Sequence, residues 1–152
     1  MSITKEEMKL DKIKKAYERE ARLLEELCNC LAQERQCLIE GRIGQLWSLR
    51  EKKSRICEEA AKEERAIKEG LKDILANKRK DRPQLLIPWR KRINTLKLQI
   101  STRNAENMRI IQDTLEFLDG LIGAITMDEA QPSGYGRTKA LSSSPKILLR
   151  EA

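Results

Sequence analysis

The sequence predicts an all-α protein, an elongated antiparallel bundle of three long helices with a flexible C-terminal tail. Three observations carry this. Charged residues make up 36% of the chain and aromatic residues 3%, and a sequence rich in Glu, Lys, Leu, Ala and Arg builds long helices rather than a large compact globule. Apolar residues recur at helical spacing in three long stretches. Two breaks, at Gly41 and between Pro83 and Pro88, are short enough to fold each stretch back on its neighbour within one chain. The 152 residues suit a single domain. The expected bundle occupies residues 1–127, with helices at about 5–40, 42–79 and 83–125, and the tail residues 128–152.

The first helix opens on Thr4-Lys-Glu-Glu7, a capping box in which the Thr4 hydroxyl accepts from the amide three residues on and Glu7 reaches back. Leu10, Tyr17, Leu24, Leu31 and Leu38 then recur every seven residues, with Ile13 and Leu27, and the polar Glu20 and Glu34, at the companion position. That seam suits an irregular bundle better than a long zipper. Gly41 is the natural left-handed residue after the helix. The second helix carries Ile43, Leu46, Leu49, Ile56, Ala60, Ile67, Leu71, Ile74 and Leu75, with Trp47 beside the stripe and expected against the top of the first helix. Gly44 and Gly70 each weaken this helix by up to about 1 kcal/mol relative to Ala.

The third helix starts at Pro83 or Pro88; Pro88 suits a first turn, where its missing amide is not needed. Its stripe runs through Ile93, Leu96, Ile100, Asn107, Ile111, Leu115 and Leu118 to Leu121 and Ile122. Asn104 and Asn107 interrupt it. A buried Asn at such a place sets register and partner number at some cost in stability; the alternative is that both Asn lie at the edge of the seam and face water. Past Ile125 the periodicity ends, and Gln131-Pro-Ser-Gly-Tyr-Gly136 and Leu141-Ser-Ser-Ser-Pro145 are turn-rich. Within this tail Tyr135 stands between two glycines, and Ile147, Leu148 and Leu149 form an apolar cluster that folds on a partner or rests on the bundle.

Several function classes are disfavoured. The chain has no histidine, which removes the commonest general base and the triads built on it. No glycine loop has a phosphate-cradling signature, so no enzyme, small-molecule substrate or cofactor is expected. Cys28, Cys30, Cys37 and Cys57 lack the spacing and the histidines of a zinc site, and are read as reduced thiols. No apolar run reaches the roughly eighteen residues of a membrane span, and the amino end lacks the apolar core of a secretion signal, so a cytoplasmic location is expected. The net charge of +7 permits nucleic-acid binding, concentrated at Lys78 to Arg82 and Arg90 to Arg92. Most bases alternate with Glu, however, as on a solvated helix face, and aromatic rings to stack on bases are scarce. A basic nucleic-acid-binding bundle and a structural coiled coil are the alternative readings.

Three segments carry a family resemblance. Gly41-Arg-Ile-Gly-Gln-Leu-Trp-Ser-Leu-Arg-Glu-Lys-Lys53-Ser-Arg-Ile56 resembles the helix-turn-helix junction of FlgN-type flagellar chaperones, with Gly41, Ile43, Leu46, Leu49, Lys53 and Ile56 at the matching positions. Asn104-Ala-Glu-Asn107-Met-Arg-Ile-Ile111-Gln-Asp-Thr-Leu115-Glu-Phe117 resembles that family's last helix, and Tyr135-Gly136 its tail Tyr. Gly44 departs from the pattern, as does the lack of a Gly a few residues after the Tyr. The resemblance implies a cytoplasmic type III export chaperone. Its partners would be hook-associated proteins of the hook–filament junction and the cytoplasmic domain of the export gate, with membrane association only through the export apparatus. A cargo helix is held by anchors at i, i+3, i+4 and i+7. Leu115, Leu118, Leu121 and Ile122 have that spacing and, with Ile147, Leu148 and Leu149, are the expected cargo site. Tyr135 is the expected docking residue for the gate.

Overall fold

A computed structural model of the protein describes residues 4–76 and 84–128. Helix α1 spans Lys5–Glu40, α2 spans Ile43–Ala76, and a 3-10 turn at Gln84–Leu86 leads into α3, Ile87–Asp128. The start of α1 is the capping box: Glu7 N donates to Thr4 Oγ1 at 3.3 Å, and Thr4 N donates to Glu7 Oε2 at 3.2 Å. The helix stops because Gly41 turns left-handed, with φ 72° and ψ 24°; this lets Arg42 N donate to Cys37 O at 2.9 Å and satisfies an otherwise orphaned carbonyl. A Cβ at Gly41 would meet nothing within 4 Å, so the backbone angle alone asks for glycine. Pro88 lies in the first turn of α3, and the helix begins one residue earlier than a start at Pro88.

Helix α1 is the centre of the bundle, with α2 packed along one side and α3 along the other. Its Ile13, Ala16, Tyr17, Ala21, Leu24 and Cys28 form the main core with Ala60, Ile67 and Leu71 of α2, and with Leu86, Ile93 and Leu96. Leu27 and Cys30 make a smaller cluster with Ile56, flanked by Leu23 and Ile100. Each aliphatic side chain buried here contributes about 1.5–3 kcal/mol relative to exposure. Because α1 is enclosed on two sides, its polar companion positions are buried as well: Glu20 is 2% exposed and Glu34 8%. At Gly70 α2 lies tightly against α1. A Cβ there would lie 2.7 Å from Ile13 Cγ1, nearer than side chains tolerate, so the glycine is needed for packing.

The hairpin tip departs from expectation. Trp47 is 60% exposed and Ile43 69%, so neither is buried against the first helix. The Arg50 guanidinium lies over the Trp47 ring, 5.7 Å from its centre, a cation–π contact made at the surface. Leu75, near the other end of α2, is also exposed, while Leu49, Ile56, Ala60, Ile67 and Leu71 form the buried line of α2. Cys28, Cys30 and Cys37 are buried thiols and Cys57 an exposed one. Burial pushes the thiol pKa up at Cys28 and Cys30, which makes both inert packing residues.

Candidate functional site

Asn107 is 1% exposed and carries the polar interruption of the α3 seam into the core. Its Nδ2 donates to Leu31 O at 2.9 Å and to Glu34 Oε1 at 3.0 Å. The other carboxylate oxygen of Glu34 is paired with Lys53 Nζ from α2. One carboxylate therefore ties all three helices together. One turn below, Arg103 Nη1 donates to Cys28 O at 3.0 Å. Asn104 is only half-buried, so the two Asn divide between core and edge. Around this node α2 and α3 stand apart, leaving a cleft of about 350 Å³ over Leu27 and Leu31, with Cys57 on one wall and Asn104 on the other.

The node also fixes the register of α3. Asn107 lies beside Leu31 and Glu34, and Glu106 accepts from Arg35 at 3.1 Å. From that level α1 has about two turns left before it ends at Glu40, whereas α3 continues to Asp128. The last four turns or so of α3, roughly 20 Å at 1.5 Å per residue, run beyond the hairpin tip. Among the described residues, the side-chain hydrogen bonds from Gln112 onward stay within α3, as in Gln112–Glu116 and Thr126–Ile122.

The seam that meets α1 lower down is left bare there. Ile93 and Leu96 are buried, but Leu118 is 47% exposed, Leu121 44% and Ile122 38%, and Phe117, Ile125 and Met127 are more exposed still. Leu115 is half-buried at the point where the hairpin ends. The structure thus brings Leu115, Leu118, Leu121 and Ile122 together on one projecting helix end. Tyr135, Ile147, Leu148 and Leu149 lie outside the described residues. Reading the sequence in isolation missed Ile125, which continues the same stripe at i+3 from Ile122 and i+4 from Leu121; it also missed the exposure of Ile39, Ile43 and Trp47 at the hairpin tip. Gly120 and Gly123 lie in the projecting end with open space at both Cβ positions, so they weaken the helix there by about 1 kcal/mol each without a packing need.

The basic stretch gains less support. Lys78 to Arg82 lie outside the described residues, and Arg92 Nη2 is bonded to Glu25 at 2.7 Å, which neutralises part of the remainder. No described helix is long and apolar enough to cross a membrane.

The described residues form a three-helix bundle that leaves the seam of its third helix uncovered at one end. A family model described as FlgN protein matches residues 8–143. The chain belongs to the FlgN family, whose members are chaperones of flagellum biogenesis and export. Comparison with curated proteins and with solved structures gives no match.

Proposed function

We propose that this flagellar export chaperone receives a hook-associated protein of the hook–filament junction on the bare end of α3, keeps it from assembling early, and delivers it to the export gate. The observation that carries the reading is the seam of α3 running past the hairpin tip, where Leu118, Leu121 and Ile122 stay accessible. A cargo's terminal helix, apolar on one side, self-associates unless its stripe is covered. Leu115, Leu118, Leu121 and Ile122 offer a matching stripe at helix-in-groove spacing, and the apolar Ile147, Leu148 and Leu149 add to it from the tail. The charged exterior of the bundle keeps the complex soluble. Tyr135 is the contact to the cytoplasmic domain of the gate, since a ring between two glycines offers a large contact area that no neighbouring side chain shields.

Calorimetric titration with a purified hook-associated protein tests the site. Leu118→Asp puts a charge into the covered stripe, at a cost of several kcal/mol if it is left unpaired there. It should weaken cargo binding by at least about a hundredfold while the urea midpoint of the free chaperone stays near that of the native protein. A variant that unfolds instead makes Leu118 an ordinary core residue; unchanged cargo affinity moves the site elsewhere.

A further inference from the structure

We propose that the projecting end of α3 selects a partner helix whose apolar stripe is bordered by Lys and Arg. The inference rests on the reading of this end as the cargo site and adds the charge of the helix it accepts. Residues 110–128 contain Asp113, Glu116, Asp119 and Asp128 and no Lys or Arg, in a chain whose net charge is +7. Lower in the bundle acids and bases alternate and pair across helices, as in Arg92–Glu25, Lys97–Glu64 and Arg35–Glu106. Past the hairpin tip the described acids have no basic partner on another helix.

The position of these acids sharpens the point. The exposed end carries acids and no bases, and among its described acids Asp119 is the one that flanks the apolar stripe. Asp119 is next to Leu118, four residues after Leu115 and three before Ile122, which puts it at the border of the stripe. Its Oδ1 is buried and lacks a hydrogen-bond partner. A buried carboxylate oxygen is ordinarily paired, and a guanidinium or ammonium from a docked helix would supply the missing donor.

A second copy of this chain does not fit as occupant, because pairing two such ends would set carboxylates against carboxylates. A basic-bordered helix matches in both apolar pattern and charge, and complementary potentials of this kind give partner choice and speed of encounter.

The test uses two synthetic helices of about six turns, identical in their Leu stripe and bordered by Lys in one and Glu in the other. Each is titrated into the full chain by fluorescence anisotropy at low and high salt. The Lys-bordered helix should bind at least about tenfold more tightly at low salt, and the preference should shrink at high salt. It should vanish in Asp113→Asn/Glu116→Gln/Asp119→Asn, whose helix content by circular dichroism should be unchanged. Equal binding of the two helices, or a preference that survives in the triple variant, overturns the inference. So does a gain in affinity for the Lys-bordered helix in Lys146→Glu/Arg150→Glu as large as the preference itself, since that assigns the surface to the chain's own Lys146–Arg150 segment. If Leu118→Asp weakens cargo binding while the two helices bind alike, the cargo site stands and only its charge selectivity falls.

Discussion

Lys53 of α2 and Asn107 of α3 bond the same carboxylate, that of Glu34 on the central helix. Neither Lys53 nor Glu34 is well exposed, with 11% and 10% of their side chains accessible. Removing one member of such a pair leaves a buried charge without a partner, which costs about 3–5 kcal/mol. Glu34→Ala should therefore lower the unfolding free energy by roughly that amount in urea denaturation, and Glu34→Ala/Lys53→Met should regain most of the loss. If the double variant is no more stable than Glu34→Ala, the node is not a coupled unit.

Gly70 and Ile13 form a tighter steric pair than any helix propensity suggests. In an open helix position, Gly→Ala gains up to about 1 kcal/mol, and Gly44→Ala, with nothing within 4 Å, should show that gain. Gly70→Ala should instead destabilise by about 1–3 kcal/mol, because its Cβ would press on Ile13. In an Ile13→Ala background the same substitution should become neutral or stabilising. A double-mutant cycle by thermal or urea unfolding reads the coupling directly.

Glu20 and Glu64 predict opposite pH dependences on either side of the ordinary Glu pKa of 4.5. Burial raises the pKa of Glu20, with Glu64 and Glu63 adding to the rise and Lys97 and Lys68 opposing it. A raised carboxyl pKa means that the folded state holds its proton more tightly than the unfolded state. The stability it supplies is present below 4.5 and is lost as pH rises through the folded value. The hydrogen bond from Lys97 lowers the pKa of Glu64, so its contribution is present above 4.5 and is lost as pH falls through the folded value. Stability should thus rise from neutral pH toward 4.5 and fall below it. Glu20→Gln should remove the upper slope and be more stable than the native protein at pH 7; an unchanged slope above 4.5 would show that Glu20 is not its source.

Tyr135→Ala should leave the fold and the affinity for a hook-associated protein intact, while reducing binding to the cytoplasmic domain of the export gate and export of the cargo. Calorimetry with each purified partner separates the two. Equal loss of both affinities, or loss of neither, removes Tyr135 from the docking role.

The all-α class, the capping box at Thr4, the turn at Gly41 and the three amphipathic stripes are local properties, determined by residue order, because helix periodicity and cap chemistry act over a few neighbours. The apolar content of Leu115, Leu118, Leu121 and Ile122 is equally local. Whether those residues are core or surface is not, since a stripe reads the same whether or not a partner covers it. That was decided by register: Asn107 on Glu34 and Leu31 sets α3 against α1 so that α1 ends while α3 continues. The burial of Glu34, the exposure of Trp47 and Ile43, and the need for glycine at position 70 likewise depend on which helix lies alongside. Helix α1 takes a neighbour on each side and draws its polar positions inward, and the end of the bundle where α3 outruns the others keeps its apolar face in water.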